Sequence, residues 1–171
     1  MPASSGHDTV RDWALLHLDE AYERTSWHGP NLKGSLRGVD AVEASWSPAS
    51  GRKSIAEHVL HAAYWKYTVQ RRLTGEKRAS FPLSGSNWFQ LPQPFDDRAW
   101  RECRTLLDRQ HFELRSAIEA LAAEEFSRPA AGSSRTTVAR LVRGVILHDI
   151  YHVGQIQLLK RLVRDWADRR K

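Results

Sequence analysis

From about Thr137 to Trp166 the chain has no proline and only two internal glycines, Gly144 and Gly154. This is the longest helix the sequence predicts, and the rest of the fold has to pack against it. Three further segments show helical spacing of apolar residues. One runs from about Asp8 to Ser26, with Leu15, Leu18 and Tyr22 on one stripe. A second runs from about Ile55 to Leu73 and opens on Ser54-Ile-Ala-Glu57. In such a capping box the serine and the glutamate satisfy each other's end of the helix. Thr74-Gly75 marks its stop. The third runs from about Asp97 to Ala123, with Trp100, Cys103, Leu107, Leu114, Ile118 and Leu121 in register.

The connections constrain how these helices are arranged. Residues 27 to 53 hold Gly29-Pro30, Gly34, Gly38 and Ser47-Pro48, and read as a structured loop with a short helix at Val39 to Ser45. Residues 76 to 96 carry Pro82, Gly85, Pro92 and Pro94 and cannot be a helix. That stretch is longer than an antiparallel helix pair requires. It can cross the bundle and let the third long helix run parallel to the second.

At 171 residues the chain is expected to form a single domain over 1–171. A chain of this size buries roughly 70% of its unfolded surface, so it needs no metal merely to fold, and a metal site would be functional. Cys103 is the only cysteine, which excludes an internal disulfide and fits a reducing cytoplasm. The opening Met-Pro-Ala-Ser-Ser-Gly-His-Asp lacks the apolar core of a signal peptide, and no stretch suits a membrane span. The net charge of +6 raises the question of nucleic acid. The basic residues fall in short clusters, Arg71-Arg72, Lys77-Arg78, Lys160-Arg161 and Arg169-Arg170-Lys171, with acids such as Glu76, Asp165 and Asp168 nearby. They read as solvated helix faces, and no nucleic-acid-binding signature accompanies them.

The candidate chemistry lies in the histidines. His148-Asp-Ile-Tyr-His152 places two imidazoles four residues apart on the last helix. Such residues differ by about 40° in azimuth and about 6 Å in rise, so their side chains lie side by side. They share a stripe with Leu141, Val145, Gln155 and Leu159, which is the buried face, and buried imidazoles need partners. The second long helix supplies His61 on a line with Ser54, His58, Trp65 and Thr68, and His58 could take the place of His61. Three neutral imidazoles would leave a metal ion with open positions, and that ligand type suits zinc, nickel, iron or copper. The pair alone is a weak signal, and the chain has eight histidines to draw on.

The combination is more specific. Ser54-Ile-Ala-Glu-His-Val-Leu-His61, followed by His148-Asp-Ile-Tyr-His-Val-Gly-Gln-Ile156, resembles the DinB/YfiT-like superfamily, whose members are read as metalloenzymes. Trp46-Ser-Pro48 is similar to that family's turn before the second helix, and the helix order and long crossover extend the likeness to most of the chain. The resemblance implies an all-α, up-down-down-up four-helix bundle, a homodimer, and a divalent metal, commonly zinc or nickel, on His61, His148 and His152. It also implies chemistry with a low-molecular-weight thiol, since some relatives are thiol-dependent transferases or isomerases. Lys53 departs from the family pattern, which places tryptophan before the serine.

Other residues receive structural readings. His111 and His17 are expected to be hydrogen-bonded core histidines, and Asp149 to form a salt bridge or support a ligand. Glu57 is a cap, Cys103 a packed thiol, and Tyr64, Trp65, Trp88 and Trp27 core or pocket wall. Tyr151 and Gln155 could touch the site, Gln155 being favoured because it shares the ligands' face. Loops 27–53 and 76–96 are expected to wall the pocket. The expected function is that of a cytoplasmic metal-dependent enzyme, a thiol S-transferase or a hydrolase, acting on a small molecule. The alternatives are a non-catalytic metal-binding protein and a damage- or stress-response protein.

Overall fold

The computed structural model describes residues 8–76, 81–85, 87–133 and 135–170. Its helices are α1 (Asp8–Tyr22), α2 (Leu32–Ser35), α3 (Ala41–Ser45), α4 (Ile55–Thr74), α5 (Asp97–Glu119) and α6 (Val138–Asp168), with a 3-10 turn at Ala123–Ser127 before α6. The capping box of α4 is complete: the Glu57 N–H donates to Ser54 Oγ and the Ser54 N–H to the Glu57 carboxylate. Gly75 closes α4 in the left-handed conformation, with φ of 73°. Asn31, Asp40, Asp96 and Thr137 cap α2, α3, α5 and α6 in the same side-chain-to-backbone manner.

The core falls into two clusters whose membership gives each helix its direction. The first joins Ile55 and Val59 of α4 to Trp100 and Leu107 of α5 and to Val153, Ile156 and Leu159 of α6. The second joins Ala14 and Leu18 of α1 to Val69 and Leu73 of α4, Leu114 and Ile118 of α5, and Val138 and Val142 of α6. Helices α4 and α5 thus run from the first cluster to the second, whereas α1 and α6 run from the second to the first. The result is the expected all-α bundle, up-down-down-up, with the 76–96 segment as the crossover. Two α1–α5 contacts agree with this: Tyr22 donates to Asp108, and Arg115, seven residues further along α5, pairs with Asp19, three residues earlier on α1.

Several boundaries differ from expectation. Helix α1 stops at Tyr22, not Ser26, because the Arg24 carbonyl is taken by the Asn31 side chain and Ser26 turns back to bond the Gly29 carbonyl. Trp27, expected in core or wall, is fully exposed at the tip of that turn. Helix α5 ends at Glu119, not Ala123, because the Ala122 N–H is claimed by the Glu125 carboxylate. The 27–53 segment holds two short helices where one was expected. It packs across the first cluster, where the Trp100 indole donates to the Val39 carbonyl.

The solvated reading of the basic clusters fails at Lys160. That residue is buried, and its ammonium donates to the carbonyls of Ser35 and Arg37, tying α2 to α6. Lys77-Arg78 and Lys171 lie outside the described residues. No helix among the described residues is long and apolar enough to cross a membrane.

Candidate metal centre

Helices α4 and α6 pass each other antiparallel, which brings the first half of one against the middle of the other. His61 Nε2 lies 3.1 Å from His148 Nε2, and His148 Nε2 lies 3.0 Å from His152 Nε2. One nitrogen from each of the three rings falls within 4.8 Å of the others, a cluster able to hold a divalent metal ion. Two imidazole nitrogens bound at 2.0–2.1 Å to one tetrahedral ion stand roughly 3.3 Å apart, close to the spacing seen. Among the described residues no further His, Cys, Asp or Glu joins the cluster.

Hydrogen bonding favours a cation at this point. His61 Nδ1 sits 2.8 Å from the Asn87 carbonyl, which can only accept, so the proton of His61 is on Nδ1 and its Nε2 presents a lone pair. His148 Nε2 then faces two other ring nitrogens, and one proton cannot point straight at both. A cation at the common point would satisfy all three. Burial disfavours the imidazolium form of each ring. It lowers the pKa of His61, brings His148 down to about 4, helped by the charges of His61 and Lys66, and brings His152 down to about 2, helped by His148 and His58. At neutral pH the three rings are therefore uncharged, the state in which imidazole is a ligand.

Around the three rings stands a set of orienting contacts. His58 is not in the cluster: its Nδ1 lies 2.9 Å from His152 Nδ1, on the far side of the His152 ring from the convergence point. A proton on His152 Nδ1 donated to His58 would leave His152 Nε2 free, a common arrangement behind metal-binding histidines. Asn87 holds His61 through its carbonyl and Trp65 through its side-chain oxygen, which accepts the indole N–H at 3.0 Å. It does so from a left-handed conformation, with φ of 68°, which asparagine tolerates better than most residues. Trp88 stacks on the His61 ring at 4.0 Å, nearly parallel to it. Lys53, at the position noted as a departure, reaches 5.2 Å from the Trp88 ring and pairs with Glu57.

Asp149 follows His148 but turns into the core, where it pairs with Lys66; both side chains are wholly buried. Burial raises the Asp149 carboxyl above its usual range, and the Lys66 ammonium opposes this. The Lys66 ammonium also lies 5.0 Å from the centre of the Tyr22 ring. His111 belongs to that same interior. It is buried and stacked on Tyr22 at 3.7 Å, outside the three-histidine cluster, and neither ring nitrogen has a hydrogen-bond partner among the described residues. The expectation of a hydrogen-bonded core histidine thus holds for its location and not for its bonding. His17 is only half-buried, with Nδ1 2.8 Å from the Trp13 carbonyl.

Beside the cluster is a cavity of about 450 Å³, onto which His61 and His148 open. Asn87 of the crossover, α4, and the start of α6 form its wall. The 27–53 segment, expected to share in that wall, contributes none of the lining among the described residues. Tyr151 makes an edge contact with the His152 ring at 5.1 Å. Cys103 is the packed thiol expected, its pKa pushed up to about 11 by burial.

Asn87 and Lys66 went unrecognised in the sequence. Asn87 offered no motif, and the signal available for Lys66 was a lysine one residue past Trp65 on a helix whose neighbouring positions are apolar.

The antiparallel α4–α6 pair of this four-helix bundle thus carries three converging imidazoles able to hold a metal ion. The family model of the DinB superfamily matches residues 17–156, and the chain belongs to that superfamily. No curated protein and no solved structure matches the chain.

Proposed function

We propose that His61, His148 and His152 bind one divalent ion, zinc or nickel, through Nε2, and that the protein is a metal-dependent enzyme acting on a small molecule. The convergence of three neutral ring nitrogens beside a cavity carries this reading. Bound there, such an ion supplies Lewis acidity, which lowers the pKa of a coordinated water or low-molecular-weight thiol. Thiol transfer or hydrolysis follows as the reaction type, and DinB membership supports it. Asn87 and His58 hold two of the rings in the tautomer that binding needs, and Trp88 and Trp65 shield them from bulk water. The open cavity favours an enzyme over a store, since a store would gain from sealing its ion on every side.

The rest of the reading has lighter support. Leu147, Tyr151, Leu158 and Leu162 form an exposed apolar stripe along α6, which suits a homodimer. The buried free thiol of Cys103 suits the cytoplasm.

Elemental analysis of the protein purified without a histidine tag tests the metal. One zinc or nickel per chain is expected, lost in His148→Ala, and equal metal content in the two proteins would refute the assignment. Sedimentation of the wild type and Leu158→Glu tests the dimer.

A further inference from the structure

The cavity beside the histidines is built for a particular kind of molecule. Its wall is largely apolar: Trp65 and Val69 from α4, Leu141 and Val145 from α6. Gly144 lies between the two α6 residues, and a Cβ placed there would meet no atom within 4 Å. The space above this glycine is therefore left open by the sequence. Alanine would favour the helix by about 1 kcal/mol, so local helix stability does not explain a glycine here.

At the far end of the cavity from His148 stands Arg140, eight residues earlier on α6 and so about 12 Å along the axis. Its guanidinium is exposed and has no ion-pair or hydrogen-bond partner among the described residues. No acidic residue is among the described residues that line the cavity. Among the described residues of the wall, Arg140 is the one permanently charged side chain.

We propose that this cavity binds small amphipathic anions. An aliphatic or aromatic body lies along Trp65, Leu141 and Val145 over Gly144. The anionic group sits on Arg140, and the opposite end, the one to be transformed, is presented to His61 and His148. The proposal rests on the metal-site reading only for which end reacts; the apolar wall and the lone cation stand without it.

Binding of straight-chain carboxylates from butanoate to decanoate, and of the matching 1-alkanols, is to be measured by calorimetry on the full chain, both metal-free and zinc-loaded. Affinity is expected to rise about fourfold per methylene until the cavity is full. Each acid is expected to bind roughly three- to fivefold more tightly than its alcohol, as an exposed ion pair allows. Arg140→Gln should remove that preference and keep the chain-length trend. Gly144→Leu should remove binding of the longer acids while retaining its far-UV circular dichroism. Affinity independent of chain length, or a carboxylate preference that survives Arg140→Gln in the metal-free protein, would overturn the proposal. If the metal-free protein shows the expected series but takes up no zinc, the metal reading falls and this one stands. If zinc binds and the series is flat, the reverse holds.

Discussion

The molecule buries histidine in two places, and they make opposite use of it. His111 is sealed between α5 and Tyr22, with no exposed surface and both ring nitrogens unpaired. His61, His148 and His152 are also largely buried, yet each turns a nitrogen toward the same point, and a cavity opens beside them. Burial pushes the pKa down in both places, to about 2 for His111 as for His152. A depressed pKa therefore does not mark a site here. What separates the two regions is convergence of lone pairs together with orienting contacts: Asn87 behind His61 and His58 behind His152, with nothing equivalent behind His111.

The contrast can be broken from either side. The largest effect is expected at the ion pair that separates the regions. Lys66→Met leaves the Asp149 carboxyl buried beside His148 without its partner, and should lower unfolding stability by about 3–5 kcal/mol in chemical denaturation. Lys66→Met combined with Asp149→Leu should recover much of that loss, because the buried carboxyl disappears with its partner.

Next is the ring behind His152. His58→Phe keeps an aromatic ring but loses the nitrogen that faces His152 Nδ1, and should weaken metal binding by roughly 10- to 100-fold in a competition titration. His58→Gln, which keeps an acceptor, should restore part of this. His111→Phe should leave metal affinity unchanged.

Acid sharpens the comparison. A histidine whose folded pKa lies below its unfolded value of about 6.5 is protonated first in the unfolded chain, so stability falls as pH drops below that value. The loss continues until the folded pKa is reached, at about 4 for His58 and His148 and lower for His111. Between pH 6 and pH 4 the metal-free protein should lose stability steeply. His111→Phe should make the slope shallower by about 1.4 kcal/mol per pH unit, the share of one proton. The smallest effect is expected at the loop. Asn87→Ala, placed at a φ of 68°, should cost about 1 kcal/mol, and Asn87→Gly less, since both keep the carbonyl that holds His61.

How much of this was legible in the sequence follows from how far apart the interacting residues lie. The capping box at Ser54 and the His148/His152 pair are local patterns of three and four residues, and both stand in the structure as read. Placing His61 opposite them needed the bundle topology, which the length of the 76–96 crossover and the family resemblance supplied. His58 and His61 sit on the same side of α4, so the sequence favoured His61 and kept His58 open in its place. Only the α4–α6 packing puts one in the cluster and the other behind His152. Asn87, Lys66 and Lys160 escaped notice because their roles depend on meetings across 26, 83 and 125 positions of the chain. Lys160, paired with Arg161 in a pattern that suited a wet face, gave no hint that it points inward.

The central claim is that three specific imidazoles share one ion. X-ray absorption at the zinc edge, on protein loaded with a single equivalent, tests it most directly. The account predicts a shell of three imidazole nitrogens at about 2.0–2.1 Å in the wild type and in His111→Phe, falling to two in His148→Ala. A shell of oxygens alone, or spectra that do not change when His148 is removed, would contradict it.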